Sequence, residues 1–142
     1  MDIKETVLKE LRKQKLLAKT QFVILFGSVP AGKANPLSDI DICVSLSLPP
    51  KERLQARIAL SGALPEKYDL QIFEDLPLYV QKEVFKGEVL YCRKREEVVE
   101  QALQTIREYE DFEHIYLGYI TKRVEAWSKF SRKSKKLKKV CN

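Results

Sequence analysis

Apolar and polar positions along the chain predict short strands with helices between and around them. Apolar residues recur every three or four positions over Asp2–Lys19, which is the spacing of an amphipathic helix. Further along, short apolar runs that end at Gly or Pro predict strands. The other predicted elements are strands over Gln21–Phe26, Asp39–Leu46, Lys67–Phe73 and Glu88–Cys92, and helices from Pro50 to about Ala63, over Leu76–Phe85 and from Glu96 to about Ser131.

The last predicted helix is long and carries one apolar stripe. Its apolar residues advance in steps of three or four, which keeps them on one helix face. They are Val99, Leu103, Ile106, Tyr109, Phe112, Tyr116, Ile120, Val124 and Trp127. Such a helix either folds back over the sheet or offers a surface to a partner or a second copy, and the pattern leaves both open. We expect one domain over residues 1–142, with a core over about 1–93, the helix over about 96–131 and a basic tail over 132–142.

Composition and charge restrict the classes of protein. The chain has 142 residues, of which 44% are hydrophobic and 32% charged, so its composition is that of a globular protein. The longest unbroken apolar run, Phe22–Phe26, is too short to span a membrane. From Ile120 onward nine Lys or Arg residues accompany one acid, whereas residues 1–119 carry 17 basic and 19 acidic residues. This near-neutral body argues against nucleic acid as a partner, except weakly through the basic tail.

Cysteine and histidine positions give no sign of a disulfide framework or a zinc site. Cys43, Cys92 and Cys141 are far apart and form no CxxC pair. His114 is the only histidine and lies in the predicted long helix, with no second ligand at metal spacing, so we assign it no metal role. Because the first residues also show no secretory signal, we expect a cytoplasmic protein with reduced thiols.

The segment over residues 22–44, FVILFGSVPAGKANPLSDIDICV, contains the residues that indicate chemistry. A predicted strand ends at Gly27 and Ser28, and after ten more residues a second strand opens with Asp39 and Asp41. Side chains alternate along a strand, so the two aspartates share one face and repel each other. Mg²⁺, which prefers one or two carboxylates plus substrate phosphates, would relieve that repulsion. The glycine permits a phosphate to approach and the serine offers hydrogen bonds, so the segment predicts a site for a triphosphate and its metal.

This order of GS, a spacer and DxD resembles the polymerase-β-like nucleotidyltransferase superfamily. The ten-residue spacer and the small size are similar to the minimal nucleotidyltransferases (MNT, MntA-like) of prokaryotes. The resemblance implies an α+β fold, a small mixed sheet flanked by helices, to which the long C-terminal helix is added. It also implies a third carboxylate on a later strand, which Asp69 in YDLQIFEDLP matches. Asp75 is the alternative acid, but its position just before Leu76 and Pro77 is more typical of a helix cap.

The loop after the GS pair departs from the family pattern. Members of the family usually read GSRARG, but here Val29 and Ala31 replace both arginines. Lys33 can supply a cation to the phosphates, although it stands two positions away and lysine does not match the bidentate grip of arginine. The resemblance therefore implies nucleotide binding by Gly27, Ser28 and Lys33, with altered handling of the nucleotide.

By resemblance, the chain is a metal-dependent nucleotidyltransferase. Asp39 and Asp41 would hold one Mg²⁺ on the triphosphate of ATP, and Asp69 would share a second one and take the proton of the acceptor hydroxyl. In the MNT family the partner is a HEPN-domain ribonuclease toxin encoded beside the antitoxin, which transfers AMP from ATP to a toxin tyrosine. Three alternatives stay open: a small-molecule nucleotidyltransferase, which the short chain argues against; an antitoxin that only blocks its toxin sterically, which the altered loop favours; and a nucleic-acid end-transferase, which only the basic tail favours.

Overall fold

A computed structural model describes residues 2–27 and 39–131, with side chains as far as residue 122 except residue 120. The chain divides into two compact units, residues 1–106 and residues 107–142. The predicted α+β order of elements is confirmed in the described residues. The elements are α1 (Ile3–Lys13), β1 (Thr20–Phe26), β2 (Ile40–Leu46), α2 (Pro50–Ala63), β3 (Tyr68–Ile72), α3 (Leu78–Val84), β4 (Glu88–Cys92) and α4 (Arg95–Ser131).

The first helix is shorter than its apolar pattern predicts, because the chain turns at Lys15. This lysine has a φ of 59°, in the left-handed region, and the Leu16 N–H donates to the Leu11 carbonyl at 2.8 Å. That bond is the 6→1 hydrogen bond of a Schellman motif, which ends a helix. The helix therefore ends at Lys13, and the predicted continuation contains a short 3₁₀ turn over Leu17–Lys19.

The four described strands form one mixed sheet in the order β3-β2-β1-β4. The pairs β1–β2 and β1–β4 are antiparallel, whereas β2 and β3 are parallel. A parallel pair needs a crossover connection, and α2 provides it between β2 and β3. This connection brings the start of β3 beside the start of β2, which is the arrangement that the candidate site requires.

Both faces of the sheet carry buried side chains. On one face, α1 and α2 pack against apolar residues of the strands, in a cluster that includes Val7, Leu11, Val23, Ile42, Val44, Leu60 and Leu70. On the other face, Phe22, Phe73 and Phe85 form a second cluster with ring centroids 5.2–5.7 Å apart, together with Cys43 and Val84. The central strands β1 and β2 thus bury both sets of their alternating side chains over most of their length, whereas β3 buries only Leu70 and Ile72 and β4 has no fully buried side chain.

The outer strand β3 ends earlier than β2, and a side chain continues the pairing. A 3₁₀ turn over Phe73–Asp75 follows β3 directly. Within it, the Glu74 carboxylate accepts a hydrogen bond from the Leu46 backbone N–H at 3.0 Å and another from the Ser45 hydroxyl at 2.5 Å. Both donors are buried, so Glu74 provides an acceptor for the Leu46 N–H and a second one for the Ser45 hydroxyl, which also lies 3.1 Å from Oε1 of Gln21.

Two predictions on the segment after β3 are wrong. Asp75 does not cap α3, whose N-cap is Pro77 without a side-chain hydrogen bond; its carboxylate instead forms an ion pair with Arg53 at 2.9 Å. The helix begins at Leu78 rather than Leu76, because the residue that precedes a proline is disfavoured in the helical conformation.

The long helix α4 takes part in both units. In the first unit Val98 packs against the second cluster and Thr105 is buried. In the second unit the apolar side chains from Phe112 to Tyr119, such as Ile115, are exposed, whereas Tyr109 is half-buried. Among the described residues, no helix is both long enough and apolar enough to cross a membrane.

Candidate active site

The parallel pairing of β2 with β3 sets two of the predicted acids side by side. Asp41 lies in register with Asp69, just as Ile42 lies in register with Leu70. Both apolar residues are buried in the first cluster, so the aspartates point to the opposite face, as strand alternation requires. Two carboxylates from successive parts of the sequence therefore meet at one end of the sheet.

Gly27 lies directly against this pair and has two structural reasons to be glycine. Its φ of 83° is in the region that residues with a side chain rarely adopt. In addition, a Cβ built on Gly27 would overlap the Oδ2 atom of Asp41. The preceding residue, Phe26, pairs with Asp41 across β1 and β2. The end of β1 thus runs past the carboxylate so closely that only hydrogen fits between them.

The charges of the three acids are coupled. Partial burial raises the pKa of Asp41, and so do, in decreasing order, the negative charges of Asp69 and Asp39 and a side-chain hydrogen bond with Asp69. Asp39, just before β2, and Asp69 are exposed, whereas Asp41 is half-buried. Asp39 and Asp69, the other two residues that the sequence analysis assigned to the metal, are therefore near enough to Asp41 to act on it electrostatically.

Gln71 belongs to the same site, although the sequence analysis did not single it out. Its side-chain amide donates a hydrogen bond to Oδ1 of Asp69 at 3.0 Å. Because Gln71 follows Asp69 by two positions on β3, the two side chains share a face of the sheet. That spacing was available in the sequence, and it would have identified the residue once Asp69 was chosen. The amide fixes the orientation of an otherwise exposed carboxylate.

The donor chemistry of this cluster fits a divalent cation. Oxygen atoms of Asp39, Asp41 and Asp69 are the hard ligands that Mg²⁺ prefers, and a cation would relieve the repulsion that raises the pKa of Asp41. As the side chains stand, no group of three or more His, Cys, Asp or Glu residues within 2–27 and 39–131 is arranged to hold a metal ion. Instead, the Asp41 and Asp69 side chains are hydrogen-bonded to each other. Metal binding here therefore requires a rearrangement of at least one of these side chains.

Some predicted site residues lie outside the described part of the chain. Ser28 and Lys33, with Val29 and Ala31 of the altered loop, fall in the segment between Gly27 and Asp39 that the structure does not describe. Two other residues considered in the sequence are described. His114 is exposed on α4, and Cys43 is a buried free thiol, whose pKa is raised by burial and by Glu74.

Residues 5–96 match the family model described as polymerase beta, nucleotidyltransferase. A protein of Methanocaldococcus jannaschii named as a protein adenylyltransferase is 37% identical over 71 residues. These residues are 50% of this chain and 54% of that protein, so the chain spans about half the length of this curated relative. The match to the family model includes Gly27 and all three aspartates of the cluster.

Solved structures share the fold over most of the chain. A chain from a crystal structure of a toxin–antitoxin with AMP-PNP has a TM-score of 0.68 and 25% sequence identity, and the match covers 87% of this chain and 99% of that one. A chain from the complex of a tri-AMPylated Shewanella oneidensis HEPN toxin with an MNT antitoxin has a TM-score of 0.55 and 25% identity, over 82% of this chain and 97% of that one. The likeness therefore extends beyond the segment that carries the acids.

Proposed function

Since the chain belongs to the polymerase beta nucleotidyltransferase family, we propose that it is an antitoxin that transfers AMP from ATP to a tyrosine of a HEPN toxin. The observation that carries the proposal is the register of Asp41 with Asp69 beside Gly27. The names of the relatives support the acceptor class, since one is named as a protein adenylyltransferase and another comes from the complex of a tri-AMPylated HEPN toxin with an MNT antitoxin. The AMP-PNP of a third supports ATP as the donor.

The proposed reaction joins an acceptor oxygen to the α-phosphorus of ATP. The bond between that phosphorus and the bridging oxygen breaks, pyrophosphate leaves, and Asp69 takes the proton of the acceptor hydroxyl. Gly27 leaves room for the nucleotide phosphates at the end of β1, because it has no side chain. Gln71 holds the Asp69 carboxylate in one orientation through its amide. Little covalent chemistry is required of the chain, so positioning supplies most of the rate.

Asp39, Asp41 and Asp69 would hold the magnesium ions of this reaction. When bound, Mg²⁺ supplies charge neutralisation of the triphosphate and lowers the pKa of the acceptor hydroxyl. Burial raises the pKa of Asp41 most, and the negative charges of Asp69 and Asp39 raise it further; this repulsion between unliganded acids supports the assignment. Addition of Mg²⁺ should therefore raise the melting temperature of the wild type and leave that of an Asp41→Asn variant nearly unchanged.

Label transfer from α-³²P-ATP tests the proposal. The chain is co-expressed with the HEPN protein encoded beside it, and we expect label on that protein with the wild type and none with Asp41→Asn or Asp69→Asn. Asp75→Asn is the matched control, since this acid lies close in sequence to Asp69 but pairs with Arg53 away from the site. Label that persists without Asp41, or that disappears with the control variant, would show that this cluster is not the active site.

A catalytically inactive antitoxin that blocks its toxin sterically is the second candidate. The observation in its favour is the loop that lacks both family arginines at Val29 and Ala31, because arginine binds phosphates through two hydrogen bonds and these residues do not. In the label-transfer assay this candidate gives no label on any protein while the toxin is still neutralised. Label on a small compound instead would favour a small-molecule nucleotidyltransferase.

A further inference from the structure

Helix α4 presents an apolar stripe to solvent in the second unit. Phe112, Ile115, Tyr116 and Tyr119 recur at i, i+3, i+4 and i+7, so they share one face of the helix. Their exposed fractions are 54%, 71%, 51% and 56%. The rings of Phe112 and Tyr116 are stacked with centroids 5.8 Å apart. We call these four residues the α4 stripe.

Charges of opposite sign flank the two ends of the α4 stripe. Glu108 and Asp111 precede Phe112 and Ile115 by four residues, and therefore lie on the same face one turn earlier. Lys122 follows the last stripe residue by three positions, on the same face one turn later. The face therefore runs from an acidic end through four apolar residues to a basic end.

The order of acidic, apolar and basic residues along this face is complementary to the same order read in the opposite direction. If two copies of the helix pair antiparallel about an axis between positions 115 and 116, Phe112 of one copy faces Tyr119 of the other. The acidic end of each helix then lies against the basic end of its partner, which satisfies the self-complementarity that a two-fold interface requires. Parallel pairing would instead set acid against acid and base against base.

Gly118 provides a separate indication that another helix lies on this face. It is inside α4, where glycine is less stable than alanine, and a Cβ at this position would meet no atom within 4 Å. Nothing around it in the described residues therefore requires glycine. Its position three residues after Ile115 puts it beside the α4 stripe, where the missing side chain lets a second backbone approach closely.

We propose that the α4 stripe is the contact of a homodimer in which two copies of α4 pair antiparallel. The segment from Glu108 to Arg123 makes about four helical turns, or roughly 22 Å. A contact of that length buries less surface than a standard stable interface, so the dimer is expected to be weak and concentration-dependent. The inference does not depend on the proposed enzymatic function.

Sedimentation equilibrium on the full chain without any partner protein tests this contact. We expect the wild type to change from 16.5 kDa to twice that mass as its concentration rises to about 100 µM. Asp111→Lys or Lys122→Glu alone should weaken association by at least about tenfold. The double variant with both substitutions should associate again, because the charges of the two ends are then exchanged in both copies. A contact with an unrelated partner has no reason to recover in this way.

Glu110→Lys is the matched control, since it makes the same change of charge on the opposite face of the helix. It should leave the dimer unchanged, and circular dichroism of every variant should show the wild-type helix content. A chain that stays monomeric to about 100 µM, or a double variant that does not recover, overturns the proposal. Another outcome is a wild type that does not dimerise while Asp111→Lys and Lys122→Glu abolish capture of the HEPN protein. In that case this face of α4 binds the HEPN protein and the homodimer is refuted.

Discussion

Replacement of Gly27 with alanine tests whether the end of β1 is shaped to fit the Asp41 carboxylate. The substitution adds one methyl group at a backbone position with a φ of 83°. That methyl group would overlap Oδ2 of Asp41, which lies on the neighbouring strand. The variant therefore changes the backbone energy and the position of a proposed metal ligand at once, and the two effects can be separated.

The backbone conformation at Gly27 determines most of the stability that Gly27→Ala is expected to lose. A residue with a side chain in this left-handed conformation costs about 1–2 kcal/mol. The overlap with Oδ2 of Asp41 adds less to the loss of stability, because this atom is at the free end of a flexible side chain and can rotate away. Rotation does displace the carboxylate, and a misplacement of about 1 Å at an active site can lower a rate by roughly 100-fold. We expect a loss of about 1–2 kcal/mol in the free energy of unfolding and a loss of about 100-fold in label transfer.

Urea unfolding and label transfer measure the two effects. Gly62→Ala is the control, since Gly62 lies in α2 with nothing within 4 Å of a built Cβ, and it should gain about 0.5–1 kcal/mol. In an Asp41→Ala background, Gly27→Ala should still cost the backbone energy, while the contribution of the overlap is absent. If Gly27→Ala is as stable and as active as the wild type, the argument from the positive φ and the close contact is wrong.

Three further predictions concern stability. Asp41→Asn should stabilise the fold by about 0.5 kcal/mol near pH 7. Because the pKa of Asp41 is raised in the folded state, the wild type regains stability as the pH falls. The greater stability of the variant should therefore disappear below the ordinary pKa of 3.8. Lys15→Gly should raise the free energy of unfolding by about 1 kcal/mol, since glycine adopts the left-handed conformation without cost, and a loss of stability would contradict the Schellman interpretation. Glu74→Ala should cost about 2 kcal/mol, chiefly because the buried Leu46 N–H is left without its acceptor; the Ser45 hydroxyl still has Gln21 as an acceptor. The exposed Glu83→Ala control should change stability by less than about 0.5 kcal/mol in the same thermal or urea denaturation.

The order of elements could be predicted because each one has a local signal. Pro50 opens α2, and the alternating apolar residues of β2 are bounded by polar and proline residues. The boundaries failed where the decisive conformation has no such signal. A lysine at position 15 gives no indication of a left-handed residue, since glycine or asparagine usually marks a helix end of this kind. At Leu76 a local signal exists, because Pro77 follows and disfavours a helical residue before it. The apolar pattern continues across this position, so it predicts a helix that begins too early.

The acids of the candidate site could be chosen from the sequence, but their arrangement could not be derived from it. Alternation predicts that Asp41 points to the face opposite Ile40 and Ile42, and the same reasoning sets Asp69 opposite Leu70. That the two lie in register depends on β2 and β3 being parallel neighbours, which is a property of the topology rather than of either strand. The contact of Gly27 with Asp41 likewise depends on how β1 passes its neighbour. The loop residues Ser28 and Lys33 remain predictions.

The place of β3 at the rim of the sheet has a consequence for the size of the acceptor. Among the described strands β3 is paired on one side only, and the side chain of Asp69 near its start is exposed. Within the described residues, no further strand pairs with the outer side of β3. A carboxylate in this position would admit a hydroxyl group that is still attached to a folded macromolecule, whose own rigidity would then hold the acceptor oxygen in place.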